Sequence, residues 1–217
     1  IRVNVTHPSF SPEKHHPLPG AEGRKGRYKG KAVPPGTTFK IAVEMDRGLS
    51  QIKPLFELSF LLGGLGRRAR RGFGSLQERN FTPETADEVA QRVHELLAAL
   101  GLHTRVQGRV VRVLDTASKR YNRPVLLRVT VGSQYDTWQN LVGKVREASH
   151  KLKLRLKLNK NGCFGKANEK RLASPVWVSV VRLNNGTFVP IVSELAGSSL
   201  CRNTNLQSRF VKAICGQ

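Results

Sequence analysis

The sequence predicts an α+β fold, with antiparallel sheets carrying helices on one face. Three observations lead there. Residues 39–45 and 125–131 alternate apolar with polar or small side chains, residues 83–100 carry a helical apolar stripe, and two valine-rich runs flank Asn184-Asn185-Gly186. Period two marks strands, period 3.6 marks helices, and Asn-Gly between apolar runs marks a hairpin.

Residues 1–36 are rich in Pro, Gly, His and Lys/Arg. His7-Pro8, His16-Pro17 and Pro34-Pro35 interrupt regular structure, so this stretch is expected to be an extended basic arm or loop that orders against a partner. It contains a cationic run spaced by glycine, Arg24-Lys25-Gly26-Arg27-Tyr28-Lys29-Gly30-Lys31.

Regular structure is expected from Thr38, where Phe39, Ile41, Val43 and Met45 recur at period two. A short helix follows over 52–62, with Pro54 in its first turn, where a missing N–H costs little. It is apolar on most sides and is expected to be buried. A second helix, over 83–100, has Thr82 as N-cap and acidic residues at its positive end. Ala86, Val89, Ala90, Val93, Leu96, Leu97 and Leu100 form its stripe.

Strands are expected near 104–114 and 125–131. Asp136 with Gln139 resembles a capping box, opening a helix with Trp138, Leu141, Val142 and Val145 on one face. Residues 151–158 alternate Lys/Arg with Leu. As a strand, this segment turns Lys153 and Arg155 to one cationic face. A hairpin over 175–182 and 186–193 and a last helix over 205–215 complete the order. Two ferredoxin-like units, 37–115 and 116–217, account for the length.

The chemistry concentrates in Gly63-Gly64-Leu65-Gly66-Arg67-Arg68-Ala69-Arg70-Arg71-Gly72-Phe73-Gly74, with five glycines and four arginines. Glycine permits sharp turns and close backbone approach. Each arginine presents a planar fork of donors that fits phosphate oxygens. The plain alternative is a solvated basic loop, but such loops rarely hold so many glycines in so short a span. Phe73 is placed either to stack on a base or to plug the core beneath the loop.

Composition agrees with a polyanion partner. The 217 residues include 37 Lys+Arg against 15 Asp+Glu, a net charge of +22, which a polyanion would compensate. Hydrophobic content of 39% is enough for a globular core. No apolar run reaches the ~18–20 residues of a spanning helix, and no export signal is evident. Cys163, Cys201 and Cys215 lack C-x-x-C spacing, which fits a reducing cytoplasm. Ile1 as first residue is accounted for by a fragment, a processed form or a trimmed chain.

Catalytic signals are thin. His15, His16 and Tyr28 in the arm could serve a metal-independent ribonuclease as base and acid, though histidines in such an arm are more often solvated. Asp115 reads as a turn residue and Asp136 as a helix cap. His94, His103 and His150 stand alone, so neither a metal nor another cofactor is expected.

A helix running into Gly-Gly-Leu-Gly, an arginine cluster and then Arg71-Gly72-Phe73-Gly74-Ser75 resembles the glycine-rich loop of the RAMP superfamily of CRISPR-associated proteins. Within that superfamily it looks most like the subunit capping the crRNA 3′-end side of Cmr-type (type III-B) effectors. Arg171-Leu172-Ala173-Ser174-Pro175 is similar to the segment before the family's final hairpin. The resemblance covers about 38–195. It implies an RRM-like (ferredoxin-like) core whose loop packs on the RNA backbone. Gly63, Gly64, Gly66, Gly72 and Gly74 would shape that loop, and Arg67, Arg68, Arg70 and Arg71 would reach phosphates. The family usually opens with an apolar strand and an early helix, and residues 1–36 are read as showing neither.

The leading expectation is a non-catalytic crRNA-binding subunit of a type III effector. It would contact crRNA, target RNA in the wider reading, and neighbouring effector subunits. Lys25, Arg27, Tyr28, Lys29, Lys153, Arg155 and Arg171 would extend the cationic track, with Tyr28 and Phe73 available to stack. The alternatives are a RAMP-type endoribonuclease and a ribosomal-type structural RNA-binding protein.

Overall fold

The computed structural model describes residues 2–6, 13–14, 31–44, 50–66, 69–114, 124–155, 174–197 and 204–216. The chain divides into two compact units, Ile1–Ser50 and Gln51–Gln217.

The first unit holds β1 (Arg2–Thr6), β2 (Glu13–Lys14), β3 (Lys31–Ala32) and β4 (Lys40–Glu44). β1 pairs antiparallel with β4, setting Val3 opposite Val43 and Val5 opposite Ile41. This corrects the reading of residues 1–36 as an arm without a strand. Val3 and Val5 alternate with Arg2, Asn4 and Thr6, a short period-two signal overshadowed by the prolines and basic runs after it. β2 pairs with β3. Lys25, Arg27, Tyr28 and Lys29 lie outside the described residues.

The second unit holds α1 (Ile52–Leu62), α2 (Ala86–Ala99), β5 (Thr104–Gln107), β6 (Val110–Val113), β7 (Val125–Val131), α3 (Trp138–Arg155), β8 (Val176–Arg182), β9 (Phe188–Ala196) and α4 (Thr204–Cys215). Its strands form one antiparallel sheet in the order β5-β6-β7-β9-β8. That sheet spans residue 115, where the sequence suggested a boundary between two ferredoxin-like units.

Helices cover both faces of this sheet, a correction to the single covered face expected. α1 and α2 pack with Val111, Val129, Val181, Val189 and Ile191. α3 and α4 pack with Val176, Val178 and Val192 on the other side. The reason is written in β8 and β9. Each is a near-continuous apolar run, which only burial on both faces accommodates.

Local boundaries shift for identifiable reasons. α2 starts one turn later than expected, because Thr85, not Thr82, is the cap. The Thr85 backbone is extended and its Oγ1 accepts the Glu88 N–H at 3.2 Å. Similarly, Thr137 Oγ1, not Asp136, accepts the Asn140 N–H at the start of α3. The expected 104–114 strand is a tight hairpin turning at Gly108, φ +55°. In β7 the register shifts between Leu126 and Arg128, so Leu126 packs on the core while Leu127 is exposed.

Two further expectations are corrected. In α1 only Leu61 is buried, and Leu55 is half exposed. Residues 151–155, the described part of the alternating segment, are helix and not strand, because α3 continues through Arg155. Leu141, Val142, Val145 and Ala148 already anchor that helix. Each added residue then gains a backbone hydrogen bond, and Leu, Lys and Arg are strong helix formers. Lys153 and Arg155 therefore lie on helical backbone.

Candidate nucleic-acid interface

The glycine–arginine segment leaves α1 and runs to the edge of β8. At its base the Leu65 N–H donates to the Gly74 carbonyl at 2.8 Å. Gly74 sits at φ +65°, and a Cβ there would fall 2.0 Å from the Leu65 carbonyl oxygen. No other residue type closes this base without moving backbone.

The segment then binds along the outer edge of β8. Gly72 N–H donates to the Val178 carbonyl at 2.8 Å, and Val178 N–H donates to the Arg70 carbonyl at 3.2 Å. Together they make a parallel bridge centred on Arg71 and Val178. Gly72, at φ +82°, passes so close that a Cβ would lie 3.1 Å from a Val180 methyl. Ser75 Oγ accepts the Val180 N–H at 3.0 Å and donates to the Gly72 carbonyl at 3.2 Å. Gln77 Oε1 accepts the Arg182 N–H at 2.9 Å, and its Nε2 donates to the Arg182 carbonyl at 2.9 Å. An unpaired strand edge is a liability, and this segment covers it at residues 178, 180 and 182.

The bridge sends successive arginines to opposite sides of the strand, as extended backbone requires. Arg70 lies over the Trp177 ring, with its guanidinium carbon 5.4 Å from the ring centre. Arg71 lies over the Phe210 ring of α4 at 5.6 Å. Burial first, and then the neighbouring charge of Arg70, pull the Arg71 pKa down to about 10. It remains a cation at neutral pH.

The predicted site residues thus divide. Arg70, Arg71 and Gly72 lie along the β8 edge. Gly64 packs against the Phe73 and Gly74 backbone at the loop base, and Gly63 and Gly66 shape the chain on either side of Leu65. Phe73 is half-buried. Arg67, Arg68 and Arg171 lie outside the described residues, as do the side chains of Lys153 and Arg155. Arg70 is held at the β8 edge with its guanidinium over the Trp177 ring. Arg71 is turned inward and anchors the loop.

Sequence reasoning missed Ser75, Gln77, Trp177 and Phe210, which clamp the segment. The alternation Ser75-x-Gln77 after the last glycine was the available signal.

Elsewhere the chemistry is structural. His94 Nδ1 shares a hydrogen bond with Thr104 Oγ1 at 2.5 Å, tying α2 to β5. The Cys215 thiol is pushed up to about 12 by burial, then by Glu194, against the opposing pull of Arg128. Among the described residues no group of three or more His, Cys, Asp or Glu could hold a metal. Nor is any helix there long and apolar enough to cross a membrane.

No protein-family model and no curated protein sequence matches the chain. Among solved structures it is similar to the crystal structure of Cmr1 from Pyrococcus furiosus in its apo form. The TM-score is 0.54 at 18% identity, over 99% of this chain and 75% of that one. The resemblance drawn from the glycine–arginine segment is borne out at the level of fold, and the match extends well beyond residues 38–195.

Proposed function

We propose that the chain is a non-catalytic, crRNA-binding RAMP subunit of a type III CRISPR effector complex. It holds the RNA backbone while guide pairing supplies sequence choice. The observation that carries this reading is the Cmr1-like fold over 99% of the chain. Support comes from a basic, glycine-shaped segment fixed to the sheet edge and from the net charge of +22. In this reading Arg67, Arg68 and Arg70 contact phosphates, while Arg71 secures the loop from beneath. Lys25, Arg27, Tyr28, Lys29, Lys153, Arg155 and Arg171 extend the track. Other effector subunits are the protein partners, and the RNA includes crRNA and, when paired, target RNA.

The test is single-stranded RNA binding by the whole chain across a salt series, against an Arg67→Ala/Arg68→Ala/Arg70→Ala variant. Arg71 is left in place so that the loop stays anchored. Each phosphate contact on a single strand contributes about 0.7 to the slope of log K against log salt. The variant should therefore flatten the slope by about 2. An unchanged slope would remove the loop from the RNA contact.

A further inference from the structure

Three arginines stand side by side across one half of the sheet. The register sets Arg105 of β5 opposite Arg112 of β6, and Arg112 opposite Arg128 of β7. Their chain neighbours Val111, Val113 and Val129 are buried beneath α1 and α2. By strand alternation the arginines face the opposite side. There α3 and α4 cover β8 and β9, while Arg105 and Arg112 are exposed.

The charges along this row are not balanced. Glu194 of β9 lies opposite Arg128 and takes its guanidinium in a two-point pair, with Nη2 at 2.9 Å from Oε1. Among the described residues no ion pair reaches Arg105 or Arg112. Strands lie about 4.8 Å apart, and like charges directly opposite each other destabilise a sheet. Such a row opposes folding unless an anion lies across it.

We propose that this arginine row is a second RNA contact, in which Arg105 and Arg112 bind the phosphates of one RNA strand laid across β5 and β6. Arg128, held by Glu194, closes the inner end of the row. The inference rests on the RNA-binding reading above and adds a site distinct from the glycine–arginine segment. Charge complementarity favours RNA over a protein partner. The neighbouring residues on this half-face are His103, Gln107, Val110, Leu114 and Thr130. They include one exposed leucine but no Trp, Tyr or Phe anchor of the kind protein interfaces use.

The experiment is single-stranded RNA binding by the full chain across a salt series, comparing wild type, Arg105→Ala, Arg105→Ala/Arg112→Ala and Arg105→Lys/Arg112→Lys. Two phosphate contacts predict an affinity loss of about 25-fold at 0.1 M salt and a slope flatter by about 1.4. The single edge-strand variant, least able to disturb the fold, should lose about 5-fold. The lysine pair should keep most of the slope. Relief of repulsion should leave the double alanine variant at least as resistant to urea as wild type. If wild type binds and both alanine variants match it in affinity and slope, the arginine row is not an RNA contact, and the RNA-binding reading survives on the loop. If wild type shows no salt-dependent RNA binding, both readings fall together.

Discussion

The N–H of Leu65 donates to the carbonyl of Gly74 at 2.8 Å, closing the base of the glycine–arginine segment. The same closeness leaves 2.0 Å between the Leu65 carbonyl oxygen and any Cβ placed on Gly74. Gly74→Ala should therefore lower stability by about 2–3 kcal/mol, combining a left-handed backbone with a backbone clash. Gly101 has a similar φ, +79°, but open space around it. Gly101→Ala should cost only about 1 kcal/mol. Urea midpoints of the two variants decide, and equal losses would show that the loop base yields easily.

Ser75 and Gln77 occupy the backbone groups of β8 at residues 180 and 182. Removing both side chains leaves buried or edge polar groups unmet, at about 1 kcal/mol for each lost bond. It also uncovers a strand edge. Ser75→Ala/Gln77→Ala should be destabilised by about 2–3 kcal/mol and should self-associate as concentration rises. The loss is less than the sum over the lost bonds because Gln77 and Arg182 are exposed and water replaces part of it. Sedimentation at several concentrations checks the second effect, and a strictly monomeric variant would contradict it.

Glu194 is 5% exposed and meets Arg128 across neighbouring strands. Its side-chain hydrogen bonds are the main reason the Arg128 pKa is raised. Glu194→Gln should cost about 3 kcal/mol, since it leaves a partly buried guanidinium without its counter-charge. A double-mutant cycle with Arg128→Met should return a coupling of about 1–3 kcal/mol. Additive losses would mean that the pair contributes nothing beyond its packing.

Cys215 supplies a pH test. Its folded pKa is raised from 9.0 to about 12, chiefly by burial. Between those values the unfolded thiol has lost its proton while the folded one keeps it, so the unfolded state binds fewer protons and stability falls as pH rises. This stabilisation is fully present below pH 9 and is lost as pH rises toward about 12, and a Cys215→Ala variant should lack the added decline. Alkylation at pH 8, read by peptide mass, should spare Cys215 in the native protein and label it in urea. Native labelling would show that α4 opens readily.

Much of the architecture was legible in local pattern. The stripe of α2, the alternation of β4, and the hairpin at Asn184-Asn185-Gly186 correspond to observed elements, because periodicity and turn chemistry are properties of short segments. The failures also have local causes. Lys151 onward alternates like a strand, yet it continues a helix begun at Trp138, whose buried side chains outweigh a two-residue period. Thr82 and Asp136 are good caps by type, but Thr85 and Thr137 sit where the first free N–H groups point. β1 went unread because its alternation is short and its partner is about forty residues away.

At the site, the glycines and arginines announced close approach and positive charge, and the chain's own order put them after α1. That much the amino-acid sequence determined by itself, along with the charge surplus and most elements of the second unit. Tertiary structure alone decided that Arg70 and Arg71 part to Trp177 and Phe210, that the segment seals the β8 edge, and that Arg105, Arg112 and Arg128 form a row. The physical reason is that strand neighbours, register and covered faces follow from which distant apolar surfaces bury one another. No window of the chain contains that information.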